Sequence, residues 1–135
     1  MLLHLGPGLG NGLANLHNAR RSHAPVVTIV GEHATYHKRY DAPLESDIDT
    51  VARNVSTWIR RSLHPESIGA DAAAAVAAAC GPPGQIATLI LPADVSWSEG
   101  GSVAPAEPRA PRAAVRAEAL DAVSAACLLY TSRCV

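Results

Sequence analysis

Apolar and polar positions change period several times along this chain, and the changes mark its elements. Residues 1–5, MLLHL, are a short apolar run and predict a strand. GPGLGNG at 6–12 predicts a turn, since few other conformations suit so dense a set of glycines. Over 11–21, Leu13, Leu16 and His17 recur at helical spacing. Asn11 is placed to cap that helix, and Arg20 and Arg21 suit its last turn. PVVTIVG at 25–31 is β-branched and apolar on both faces, the pattern of a central parallel strand. Strand, glycine turn, helix and strand together predict a βαβ unit.

Residues 32–45 are polar and irregular, and they leave the carboxyl end of that second strand, where open α/β sheets place ligands. SDIDTVARNVS at 46–56 starts with a capping signal, Ser46 to Asp49, and predicts a short helix. STWIRRS at 56–62 alternates weakly, as a strand would. Residues 65–81 predict a helix opened by Pro65 and closed by Gly81. Residues 84–95 predict a further buried strand, stopped by Pro92. The expected fold is an open, doubly wound parallel α/β sheet with flanking helices, truncated at its N-terminus.

This domain is expected to occupy residues 1–99, followed by a Pro/Ala/Gly linker at 100–113 and a new amphipathic helix at 114–126. Residues 127–135 depart from the preceding Ala/Arg bias. Their CLLYTS stretch looks like a translated sequencing-library adapter, so a non-native tail is expected there.

Composition narrows the function classes. The 135 residues suit one domain, and 48% hydrophobic content supports a core, which must be aliphatic because aromatics are 4% and Phe is absent. A net charge of -1 gives no electrostatic reason for a nucleic-acid partner. No apolar run reaches about 18 residues, so no membrane span is expected. The first residues lack a basic n-region, which argues for a cytoplasmic protein. The 3 cysteines, Cys127 and Cys134 among them, form no C-x-x-C, so neither a zinc site nor a disulfide framework is expected.

The glycine stretch is the main candidate for chemistry. It is not a P-loop, since no Lys-Ser/Thr follows, and Asn11 breaks the G-x-G-x-x-G register. Glu32 does stand about 20 residues on, where that motif has its acid. The stretch reads either as a tight strand-to-helix turn or as backbone amides that face a ligand together with Asn11. His4 interrupts an apolar strand. It reads either as a hydrogen-bonded core histidine or as an acid or base at the strand's carboxyl end. His33 and His37 are four apart, the spacing of helical zinc ligands, but in an irregular segment they read first as solvated loop residues, with a metal site or a role near a substrate as the alternatives. Asp41, Glu45, Asp47 and Asp49, opposite Lys38, Arg39 and Arg53, also read as solvated residues. No serine or cysteine nucleophile is framed.

LLHLGPGLGNGLANLHNARRSHAPVVTIVGEH, YDAPLESD and LPADV together resemble the pyrimidine-binding N-terminal domain of thiamine-diphosphate enzymes. The acetolactate synthase large subunit and benzoylformate decarboxylase are the nearest in pattern. Gly6, Pro7, Gly8 and Asn11 fall in the family's glycine turn, Gly31 and Glu32 at its Gly-Gln, and Asp41, Ala42, Glu45 and Asp47 in its acidic segment. The resemblance implies coenzyme contacts at Gly6, Gly8, Asn11 and Glu32. It also implies an active-site role for His4, which matches a histidine of benzoylformate decarboxylase. The implied chemistry is decarboxylation of a small 2-oxo acid followed by carboligation. The diphosphate and Mg²⁺ site would lie outside this chain, in a homodimer or tetramer of a longer parent, and this piece alone would be inactive. Pro43 and Leu44 replace the synthase's Phe and Gln, and Pro82 replaces an arginine associated with FAD. These departures argue against flavin and favour a flavin-free decarboxylase as the alternative. A stand-alone α/β ligand-binding module is the rival from another class.

Overall fold

The computed structural model describes residues 1–108, 111 and 113–133. Four strands form one sheet: β1 (Leu2–His4), β2 (Val26–Glu32), β3 (Trp58–Arg61) and β4 (Ile86–Pro92). Their order is β1-β2-β4-β3, and every pair is parallel. The helices are α1 (Leu5–Arg21), α2 (Ile48–Arg53), α3 (Ile68–Ala79), α4 (Ala93–Trp97) and α5 (Ala117–Arg133). The architecture is the doubly wound α/β sheet that the hydrophobic pattern predicts.

Strand alternation divides the core in two. On one face Leu9 and Leu16 of α1 and Ile48 and Ala52 of α2 pack on Val30, Ile86 and Ile90. On the other, Ala75 and Ala79 of α3 pack on Ala87, with Val27 and Trp58 beside them. The alanines let α3 lie close to the sheet. Two buried hydroxyls, Ser56 Oγ and Thr88 Oγ1, bond each other at 2.6 Å under the first face. β1 is an edge strand with only β2 as neighbour, and its Leu2 is 77% exposed.

The glycine stretch is the largest departure from expectation. Residues 6–12 are not a turn but the first two turns of α1. The chain reverses instead at one residue, Leu5, whose φ is 58. A left-handed conformation costs an L-residue about 1–2 kcal/mol, and burial of the Leu5 side chain offsets it. The residue at the N-cap is therefore His4, not Asn11, and it caps with no side-chain hydrogen bond. Pro7 falls in the first turn, where its missing N–H removes no helical bond.

Other boundaries shift by a few residues. α2 is capped by Asp47, not Ser46: Asp47 accepts from Thr50 N–H at 3.0 Å and from Thr50 Oγ1 at 2.6 Å. Pro65 opens a 3₁₀ turn at Pro65–Ser67 before α3 begins, and Cys80, not Gly81, is the C-cap of α3. Pro92 ends β4 as expected, and α4 follows at once. α5 begins at Ala117 and runs through Cys127 to Arg133, where the pattern predicts its end at 126. Cys134 lies outside the described residues, as do residues 109, 110 and 112 of the linker. The described linker residues have no regular structure. The linker crosses α3 at Gly69, where a Cβ would overlap the Ser102 carbonyl oxygen.

Candidate functional site

All four strands point the same way, so their carboxyl ends share one edge of the sheet, the edge where such folds bind ligands. His4 ends β1, Glu32 ends β2, Arg61 ends β3 and Pro92 ends β4. The first turn of α1 opens on the same edge. Its leading N–H groups lack helical partners, and no acidic residue stands in that turn.

His4 is exposed, so it is not a core histidine. Its ring lies over Gly31: a Cβ there would stand 3.9 Å from His4 Nδ1 and 3.8 Å from the Leu3 carbonyl oxygen. Gly8 lies beneath the same residue, with His4 Cβ at 3.7 Å from a built Cβ. Gly6 is buried and faces Ser46, not solvent. Gly10 has open space around it, and Asn11 beside it is exposed. Of the residues singled out from sequence, His4, Gly6, Gly8 and Glu32 gather at this edge. Asn11 lies further along α1, in its second turn.

Glu32 is engaged by two cations. Its side chain is 1% exposed, yet Lys38 Nζ lies 2.5 Å from Oε1, and Arg61 lies 2.7 Å from Oε2 through Nε. Lys38 also holds Glu45 at 2.7 Å, and Arg61 holds Asp49 at 2.5 Å. Burial works against the charge of Lys38, but its bonds to Glu32 and Glu45 outweigh this and raise its pKa. Arg61 is raised for the same reasons, with Glu32 and Asp49 as partners. The Lys38 hydrogen bond in turn holds Glu45 below the usual carboxylate range. Glu45 and Asp49 are thus part of a partly buried network rather than solvated charges. Arg61 was missed in the sequence because its partner lies 29 residues away.

Residues 33–47, a strap between β2 and α2, carry Lys38 and Glu45 of this network. Thr35 ties the strap to the start of α4: its N–H donates to Asp94 Oδ1 at 3.0 Å and its hydroxyl to Asp94 Oδ2 at 2.5 Å. Burial pushes the Asp94 carboxyl up, but these bonds outweigh it and its pKa is lowered. His33 and His37 stack at 5.3 Å on the strap, with Tyr40 edge-on to His37 at 5.8 Å. No group of three or more His, Cys, Asp or Glu among the described residues is arranged to hold a metal ion. No helix among them is long and apolar enough to cross a membrane.

A parallel sheet whose first strand leads into a glycine-rich helix start at its carboxyl edge is a frame on which α/β domains bind ligands. Residues 1–53 match the family described as "Thiamine pyrophosphate enzyme, N-terminal TPP binding domain". That segment, which holds β1, α1 and β2, is therefore similar to the coenzyme-binding domain of the thiamine pyrophosphate enzymes. Over 108 residues the chain is 66% identical to "Putative acetolactate synthase large subunit IlvX" of Mycobacterium tuberculosis (strain ATCC 25618 / H37Rv). That match covers 80% of this chain but 21% of the relative, so the chain spans about a fifth of its length. An X-ray structure of "a putative thiamin diphosphate-dependent enzyme isolated from Mycobacterium smegmatis" superposes with a TM-score of 0.77 at 26% identity, over 90% of this chain and 24% of that one. The thiamine diphosphate-dependent 4-hydroxybenzoylformate decarboxylase of Rhodococcus jostii RHA1 shares the fold, with a TM-score of 0.72 at 20% identity and the same coverage, 90% and 24%.

Proposed function

We propose that this chain supplies the pyrimidine-facing part of a thiamine-diphosphate-dependent carboligase of the acetolactate synthase large-subunit type, acting on a small 2-oxo acid. The observation that carries this reading is the His4–Leu5–Gly6 elbow at the carboxyl edge, inside the segment that matches the family. The residues suit the ring end of the coenzyme. Open ground at Gly10, the exposed amide of Asn11 and the exposed His4 ring can receive a flat, hydrogen-bonding heterocycle. This reading assigns the diphosphate end, with Mg²⁺, to another part of a dimeric or tetrameric parent. When bound, the coenzyme supplies the carbanion chemistry. The chain's own contribution is to orient the ring and, through the His4 imidazole, to hold or move a proton near it. Glu32 serves the edge from below: with two cations on it, it fixes the strap rather than meeting the ring.

A flavin-free decarboxylase is the second reading, favoured by His4, Pro43 and Pro82. The isolated 135-residue chain is inactive in both readings. The test is calorimetric titration of the longer gene product with thiamine diphosphate and Mg²⁺, followed by product analysis with pyruvate. A carboligase gives 2-acetolactate and a decarboxylase gives aldehyde. Absence of coenzyme affinity in the longer protein overturns both.

A further inference from the structure

We propose that Ser46 is a positioning residue for His4, acting through the missing side chain of Gly6. Three observations meet at one point. His4 ends β1 and is also the N-cap of α1, with no side-chain hydrogen bond to fix its ring. The backbone that carries the ring turns directly after it, at Leu5, with φ 58. The next residue, Gly6, is buried against Ser46: a Cβ at position 6 would overlap both Cβ and Oγ of Ser46. A serine cannot rotate its own Cβ away, so this contact leaves no room for adjustment.

Ser46 is itself firmly placed. Its preceding residue, Glu45, is held by Lys38, and Lys38 is anchored on the buried Glu32. Its following residue, Asp47, caps α2. The strap thus delivers Ser46 to the notch at Gly6 from two fixed neighbours, and Ser46 braces the elbow that aims His4. On this account glycine is needed at position 6 for the strap and not for a ligand. Ser46 acts by volume: its Cβ and Oγ both stand in the notch, and its hydroxyl makes only a 3.5 Å contact with the Leu44 carbonyl oxygen.

The consequence for turnover rests on the role of His4 proposed above, but the mechanical link between Ser46 and the His4 ring does not. The experiment follows that link directly, by imidazole NMR of the full 135-residue chain without coenzyme. Ser46→Gly empties the notch without a clash, and it should move the His4 ring signals more than those of His17 and His64. Ser46→Ala keeps the Cβ and should leave them in place. Gly6→Ala should move the His4 signals, and the Gly6→Ala/Ser46→Gly pair should return them toward the wild-type position by restoring the fit. His4 signals that stay put in Ser46→Gly, or that move as far in Ser46→Ala, overturn the proposal. A pair no closer to wild type than Gly6→Ala overturns it as well. If Gly6→Ala does not fold, the Ser46→Gly and Ser46→Ala comparison decides alone. Loss of coenzyme affinity in the longer protein would refute the functional reading and leave this result untouched.

Discussion

Arg61 reaches past the end of β4 to grip Glu32 on β2, with Nε 2.7 Å from Oε2 and Nη2 3.1 Å from Oε1. The two residues sit on strands that are not neighbours, and on β4 between them Glu32 lies beside Pro92 and Arg61 beside Ile90. The bridge therefore ties the carboxyl ends of β2 and β3 together across β4. It also presents Arg61 to Asp49 of α2, so sheet and helix are joined at one guanidinium.

Arg61→Met should destabilise the chain more than Glu32→Gln. Removing one partner of a buried pair costs roughly 3–5 kcal/mol because it strands the other charge. Glu32 would keep Lys38, which places Arg61→Met near the lower end of that range. Glu32→Gln strands nothing, since Arg61 retains Asp49 and Lys38 retains Glu45. Urea unfolding of both variants checks the order, and equal losses would contradict it.

Acid should weaken the fold through Glu45 and Asp71. Lys38 holds Glu45 below its ordinary value of 4.5. Asp71 is pushed up by burial, but bonds from Ser62, Arg60 and Ser67 outweigh that and hold it below 3.8. A carboxyl depressed by folding contributes stability that is complete above its unfolded pKa and is lost as pH falls through the folded one. The loss therefore begins as pH drops past 4.5 and deepens below 3.8. Asp71→Asn removes the Asp71 share at neutral pH, so its melting temperature should converge on wild type as acidity rises. Parallel melting curves down to the lowest pH would contradict this.

Much of this was legible in the chain, and the remainder has a common cause. Val26–Glu32 and Ile86–Pro92 are continuous apolar runs, so their burial between two helical layers follows from local pattern alone. The carboxyl edge followed from parallel strands. The glycines misled because glycine marks a turn by its freedom, whereas here positions 6 and 12 serve close packing against Ser46 and Leu3. Arg61 with Glu32 and Ser46 with Gly6 are tertiary pairs set by strand order, and neither leaves a mark at short range.

Gly69→Ala should free the linker while sparing the domain. A Cβ at this position overlaps the Ser102 carbonyl oxygen and comes within 3.1 Å of the Ala104 nitrogen. Gly69 lies in the first turn of α3, away from the two buried clusters, so the core has no reason to rearrange. Stability should change by no more than about 0.5 kcal/mol, as for other surface substitutions. Limited proteolysis should cut within residues 100–108 several-fold faster, because local opening governs access. An unchanged cleavage rate would mean that the linker can ride over the added methyl.

If the proposed function holds, His4→Ala in a longer parent protein should separate binding from chemistry. The ring stands at the mouth of the edge, over Gly31, and no side-chain hydrogen bond caps α1 from it. Its removal leaves no buried polar group unpaired, so the fold should be nearly unaffected. Coenzyme affinity should also hold, since the open ground at Gly10 and Asn11 is untouched. Turnover should fall by about 10²–10⁴, the usual contribution of a positioned acid or base. Steady-state kinetics beside a calorimetric titration distinguishes the cases. A loss confined to affinity would make His4 a binding residue, and no loss in either would remove it from the site.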